Sequence, residues 1–433
     1  MSTKEISNII KIIPLMFKKE PYAIFYSSQG SKINISIGAE VFYKLYKKSI
    51  VINNNETKTL NYEKDPFKDL KNMYSLARNL HKNLPIIGYL SYEALVYSEP
   101  SLLNDIGFPE FPIAVFIIPK ISIQAEINKG IAQVIYTNDF SENDIKSIFT
   151  QHFYNEHETF MKLKFLENSH SKNEFEKIVR EAKQRIINGE VFQIVLSRYK
   201  VYEFKGNEMV LFIKLLNMLN MLPYAYYFKL DDHSIIGASP ETLLYVWRKT
   251  VKTYPIAGTR RRINGIETVI YKKLLKNPKE KAEHMMLVDL ARNDLGRIAI
   301  PGSVKVTKLM YPQILPNVIH LVSEVIGELD NFEKSFDAFR SLFPAGTVSG
   351  APKHRAMKLI WQFEKRSRGP YAGAIGYVTD NIMDFAITIR TAVLTKNTLR
   401  IQAGAGIVYD SKPYTEYIET ENKLSLLENL LGV

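Results

Sequence analysis

Apolar and polar positions alternate along this chain in two periods, and the change of period marks its elements. Apolar residues recur at helical spacing through residues 65–80 and again through residues 280–294. The second stretch, EKAEHMMLVDLARND, carries Met285, Met286, Leu287, Val288 and Leu290 as its stripe, with Gly296 placed as a C-terminal cap. Ser171 and Glu174 have capping-box spacing for a helix running to about Ile187. A last helix spans residues 416–428, with Ser411 as a possible cap and Pro413 as the opening residue. Between the helices lie short β-rich runs. Ala23 to Tyr26 and Lys32 to Ile37 flank a Ser/Gln/Gly turn, and Asn53, Asn54 and Asn55 mark another. Residues 189–198, 223–232, 237–244, 255–262, 318–329, 373–378, 383–393 and 399–411 read as strands, and residues 343–357 as a Gly/Pro/Ser loop entering a helix. Strands adjacent in sequence suggest antiparallel sheets, hence an α+β fold.

Composition narrows the class. The chain has 433 residues, 46% of them hydrophobic, enough for a large core and more than one subdomain. A polar connector over residues 150–170, whose histidines include His152 and His157, suggests an N-terminal subdomain over residues 1–165 and a second region over residues 171–433. There is no cysteine, which removes disulfides, thiolate metal sites and cysteine nucleophiles, and suits the cytoplasm. The longest apolar run, Phe111 to Ile118, is too short for a bilayer, and the first residues lack a signal-peptide pattern. The net charge of +12 raises a nucleic-acid-binding protein as a distant alternative, but the charge is spread out and no helix-turn-helix, zinc-finger or aromatic RNA-binding motif accompanies it. No phosphate-binding loop, dinucleotide glycine pattern or HExxH occurs.

Candidate chemistry begins with two carboxylate pairs. Glu280 and Glu283 are three residues apart on one helix, and Glu416 and Glu419 on another, so each pair projects from one helical face. Such a set suits a hard divalent cation. The same spacing equally describes two solvated acidic faces with lysine partners, such as Glu419 with Lys423. Gln193 stands inside an otherwise apolar strand, as a structural amide or as a polar group aimed into a pocket.

Taken in order, these motifs resemble the chorismate-utilising enzymes, and most closely the anthranilate synthase large-subunit family. The resemblance is dense over residues 172–430 and looser before them. It implies two large, orthogonally packed antiparallel sheets flanked by helices, with the active site at the sheet junction. It implies Mg2+ held by Glu283 and Glu419, with Glu280 and Glu416 supporting them through water or from behind. Glu241, in GASPETLL, matches the position of the acid for the C4 hydroxyl, and His320 matches a histidine near the ring. Arg390 in TIRTAV resembles the arginine that grips the enolpyruvyl carboxylate. Tyr377, Gly258, Thr259, Thr347, Gly404, Ala405 and Gly406 match other substrate-lining positions.

Two positions sort the family. Water-adding relatives carry a lysine where this chain has Gln193, which argues against isochorismate and salicylate synthases. Aminodeoxychorismate synthases carry a nucleophilic lysine where PIAGT has Ala257, which argues for direct attack by ammonia. The resemblance therefore implies conversion of chorismate and ammonia to anthranilate and pyruvate, the first step of tryptophan biosynthesis. It also implies a hetero-oligomer in which a glutamine amidotransferase subunit supplies ammonia. Ser28 in FYSSQG, with Pro223, Tyr224 and Ala225, resembles the family's tryptophan feedback site, although Tyr26 and Ser27 replace the usual Leu and Glu.

Overall fold

The structure is a computed structural model. It describes residues 21–432 apart from 30, 47–48, 55–62, 82, 108–109, 138, 144–159, 217–221, 264 and 315–317. The expectations for the first residues, for Asn55 and for His152 and His157 therefore lie outside the described residues.

Two eleven-stranded sheets form the body among the described residues. In order, the first holds 350–351, 193–206, 398–407, 391–395, 233–237, 224–229, 22–27, 32–37, 121–126 and 131–136, with 161–168 beside 193–206. The second holds 256–261, 318–328, 250–253, 242–247, 382–387, 374–378, 86–90, 114–118, 41–45 and 50–54, with 305–314 beside 318–328. Strand pairs throughout are antiparallel, as with Tyr22–Ser27 on Tyr224–Lys229 and Ala374–Val378 on Ile86–Leu90. Those two pairs join the chain's first third to the rest. The residues before about 137 form one end of both sheets, so the expected boundary near residue 165 separates no sheet from another.

The strands are apolar on both faces because both faces are covered. Between the sheets lie Phe25, Tyr89, Ile117, Tyr224, Tyr226, Phe228, Tyr377 and Ala386. Outside the second sheet, helices 66–80, 278–296 and 334–342 bury Leu70, Met73, Val288, Leu295, Phe336 and Phe339. Outside the first, helices 172–187 and 353–364 bury Phe175, Val179, Leu359 and Ile360, and helices 208–216 and 413–431 bury Phe212, Leu424 and Leu427.

Local signals set most helix starts. Asp65 caps 66–80, and Ser171 and Glu174 form the expected capping box. Two caps differ from expectation. Gly296 is the last helical residue and Arg297 follows in helical conformation, so no left-handed glycine cap forms. Lys412 is the N-cap of 413–431 and no side chain caps it; the Ser411 hydroxyl instead accepts the Val408 N–H. The expected strand over 383–393 is two strands, 382–387 in the second sheet and 391–395 in the first. Asn188 to Phe192 form a turn, and the strand expected from Gly189 starts at Gln193.

Candidate active site at the sheet junction

The chain passes from one sheet to the other at two neighbouring places. Strand 233–237 belongs to the first sheet and strand 242–247 to the second, and Glu241 stands at the crossing. Strand 382–387 belongs to the second and 391–395 to the first, and Arg390 stands at that crossing with φ of 51°. The crossings are tied together: Ala238 N–H donates to Arg390 O, and Ile387 N–H donates to Glu241 O. A left-handed backbone at a non-glycine residue is uncommon and strained, and such strain collects at functional sites.

Glu241 is 7% exposed. Burial pushes its carboxyl up to about 8, opposed by the Thr347 hydroxyl and the Lys423 ammonium. Thr347 Oγ1 is buried without a hydrogen-bond partner of good geometry. His320, on strand 318–328, is held down to about 4, first by burial and then by the nearby Arg390 guanidinium. At neutral pH the pair is therefore a protonated acid and a neutral imidazole, the two forms that give and take a proton. Thr259 pairs with His320 in the backbone register. Gly258 has φ of 68°, and a Cβ there would lie 3.0 Å from Glu280 Oε2, so a side chain at this position would be strained and would press on that carboxylate. Arg390 is half-buried; desolvation of its guanidinium depresses its pKa, and among the described residues no carboxylate pairs with it. A desolvated guanidinium without an anion is a cost to the fold that a bound carboxylate would remove.

Opposite lies the strand 398–407. Ser197 faces Gly404 and Val195 faces Gly406 across the ladder. The Ser197 N–H turns away to Glu364 and the Val195 N–H to Ser349 O, so these are non-hydrogen-bonded pairs. The N–H groups of Gly404 and Gly406 consequently face away from the ladder, whereas that of Ala405 is directed into it. Strand 391–395 pairs only as far as Ile401, which leaves that outer edge open to a ligand. Lys423 Nζ donates to Gly404 O at 2.8 Å and to Glu419 Oε1 at 2.7 Å, joining this edge to the acidic helix. Gln193 is buried beside it: a Cβ on Gly406 would fall 2.8 Å from Gln193 Nε2, and Gln193 Oε1 has no partner.

The two acidic helix faces do meet. Glu283 is raised first by burial, with Lys279 opposing, and then by the charges of Glu280, Glu416 and Glu419. Glu416 is raised by burial and by Glu419, with Ser411 opposing. Glu280 also holds Arg260 at 2.8 Å. Among the described residues no three acidic or histidine side chains converge closely enough to ligate an ion as they stand. The donor set nevertheless fits a hard cation: all its ligands are carboxylates, on two helices, with mutual repulsion that a divalent charge would relieve.

Two expected residues fall elsewhere. Tyr377 packs between the sheets, its ring 5.6 Å from Phe25, and burial followed by Asp384 pushes its pKa up. Tyr371, outside the expected set, reaches the strand 398–407: its hydroxyl would lie 2.9 Å from a Cβ on Gly404. Ser28 N–H does donate to Pro223 O at 2.7 Å, so the structure joins those two. The Ser28 side chain is exposed, however, while Ser27 is buried and donates to Asp384 Oδ2 at 2.6 Å. Tyr224 donates to the other Asp384 oxygen at 2.8 Å, and Ala225 is buried opposite Tyr26.

This junction and its donors match a known family. The model for chorismate binding enzymes covers residues 21–429, and the chain belongs to that family. Anthranilate synthase component 1 of Saccharolobus solfataricus is 44% identical over 351 residues, 80% of each chain. That of Methanothermobacter marburgensis is 40% identical over 84% of this chain and 78% of its own. The crystal structure of anthranilate synthase component I from Streptococcus pneumoniae TIGR4 superposes with a TM-score of 0.79 at 32% identity, over 92% of both chains. The menaquinone-specific isochorismate synthase of Escherichia coli shares the fold at 20% identity, with a TM-score of 0.76 over 97% of this chain and 90% of that one. Within the family the chain stands with the anthranilate synthase large subunits, as a chorismate-utilising enzyme. No described helix is long and apolar enough to cross a membrane.

Proposed function

We propose that this chain converts chorismate and ammonia to anthranilate and pyruvate in a magnesium-dependent reaction. The observation that carries the reading is Arg390: a half-buried, desolvated guanidinium with no carboxylate partner among the described residues, at the same sheet junction as a protonated Glu241 and a neutral His320. Arg390 and the Tyr371 hydroxyl hold the enolpyruvyl carboxylate. The outward N–H groups of Gly404 and Gly406 take a second carboxylate oxygen. Glu283 and Glu419 hold Mg2+, with Glu280 and Glu416 behind them; when bound, the ion neutralises the ring carboxylate.

Gln193 faces the incoming ammonia, which needs no base to attack the ring. Glu241 gives its proton to the departing C4 hydroxyl, which leaves as water. His320 takes a proton from the ring as pyruvate leaves and the ring becomes aromatic. Gly258 and Thr347 line the same space, and the backbone of Thr259 lies beside His320. Ammonia comes from a glutamine amidotransferase subunit, in keeping with the component 1 name of the relatives. Tryptophan binds where Ser28 meets Pro223, Tyr224 and Ala225, and the complex works in the cytoplasm.

The test is direct. Purified chain, chorismate, Mg2+ and ammonium salt at alkaline pH are followed for anthranilate fluorescence. The expected signal disappears with EDTA and falls with free tryptophan. Chorismate consumed without fluorescence would overturn the product assignment.

A further inference from the structure

Behind the site lies the most deeply buried ion pair among the described residues. Arg368 and Glu364 have side chains 2% and 4% exposed. Arg368 Nη1 donates to Val348 O at 2.7 Å, and Nη2 donates to Val195 O at 2.7 Å. Nη2 and Nε also donate to the two Glu364 oxygens at 2.6 and 3.0 Å. Glu364 Oε1 further accepts the Ser197 N–H at 2.7 Å and the Ser197 hydroxyl at 3.0 Å. The guanidinium lies 4.5 Å from the Tyr92 ring centre and 5.8 Å from that of Tyr371. Its backbone N–H is held by Glu93 at 2.7 Å.

Four of these neighbours, Val348, Val195, Ser197 and Tyr371, adjoin groups proposed for substrate. Val348 follows Thr347. Val195 is two residues from Gln193 and faces Gly406. Ser197 faces Gly404. Tyr371 is the hydroxyl at Gly404. We infer that Arg368, braced by Glu364, is a positioning residue that sets the spacing between the Thr347 turn, the Gln193 strand, the Gly404 edge and Tyr371. A guanidinium can do this because it is a rigid plane whose donors are fixed on three sides; a lysine gathers its three donors on one rotating nitrogen and cannot hold the separate elements at the same spacing.

This rests on the site proposed above, so the experiment reads chorismate use as well as product. Arg368→Lys, Arg368→Met, Glu364→Gln and the double variant Glu364→Gln/Arg368→Met are compared with the unaltered chain, well below every Tm. Kinetics are expressed per folded molecule. The expected result for the single variants is a KM for chorismate raised at least about tenfold with kcat lowered, and little rescue by lysine. The double variant leaves no lone buried charge, so its Tm recovers relative to Arg368→Met. Its kcat and KM do not. If kinetics return together with Tm in the double variant, or if Arg368→Lys behaves as the unaltered chain, the pair only supports the fold and the inference falls. Should the unaltered chain consume chorismate to another product, the comparison is made on consumption. Should it consume none, it is made on the Tm shift that chorismate produces, expected in the unaltered chain and lost in Arg368→Lys. Failure of the reaction assignment is thus separated from failure of the positioning role.

Discussion

Replacing Glu241 by glutamine abolishes turnover yet stabilises the protein, and by an amount that grows with pH. The carboxyl has an ordinary value of 4.5 and is raised to about 8 by burial. Between those values the folded protein holds a proton that the unfolded chain has released. Stability therefore falls as pH rises through this window, by about 1.4 kcal/mol for each pH unit. The whole interval from 4.5 to about 8 amounts to an order-of-magnitude penalty of about 5 kcal/mol, fully present above pH 8 and absent below 4.5. Glutamine keeps the shape and never ionises. Urea unfolding of both proteins is compared between pH 6 and pH 8, and the advantage of Glu241→Gln widens by about 2 kcal/mol over that range. Only the difference between the two proteins is diagnostic, because Glu93 and Asp384 are raised to about 7 and tilt both curves alike. A stability difference that stays constant with pH would show that Glu241 titrates normally. It would then be ionised at neutral pH and unable to serve as the acid.

Three further outcomes follow from the same geometry. In the unaltered chain Mg2+ raises the Tm, by about 2.7 kcal/mol of stabilisation at a hundredfold excess over Kd; in Glu283→Gln or Glu419→Gln turnover and this shift are both lost while the metal-free protein stays folded, and retained activity would remove both residues from the metal site. Arg390→Met lowers kcat/KM on the order of 100-fold through lost charge-assisted hydrogen bonds, without lowering the Tm, since no carboxylate is left unpaired; a large fall in Tm would mean that Arg390 has a structural partner. Asp384→Ala removes the acceptor of the Ser27 and Tyr224 hydroxyls, leaving Tyr224 only Thr242 and Ser27 only the Gln29 N–H, and destabilises by about 2–4 kcal/mol. Because burial raises the Asp384 pKa from 3.8 to about 7, that loss shrinks as pH rises through this range, which unfolding at pH 5 and pH 8 measures.

What could be read from the sequence was what depends on neighbours along the chain. The capping box at Ser171 and the paired carboxylates at Glu280/Glu283 and Glu416/Glu419 are properties of one helix turn, and they stand as expected. Faces of strands are different. Residues 22–27 and 374–378 are buried on both sides, so no polar alternation reveals which residues share a face. The partners of Ser27 and Tyr371 are therefore invisible in the sequence: only the tertiary neighbours, Asp384 and Gly404, give those side chains their places. The pairing of Lys423 with Gly404 O likewise needs the last helix to lie along strand 398–407.

The break at Arg390 has the same origin and a sharper meaning. MDFAITIRTAV has uniform strand character, and nothing local in it announces a change of sheet. The chain nevertheless leaves one sheet after Ile387 and enters the other at Thr391, and the turn places a left-handed arginine between them. A local rule is broken just where a desolvated, half-buried cation lacks a carboxylate partner among the described residues. Consistency between local preference and fold is the ordinary condition of a stable protein, and departures from it gather where function requires them. The proposed ligand would answer both features: a carboxylate bound to Arg390 would offset the desolvation of the guanidinium and would stabilise the strained turn that holds it.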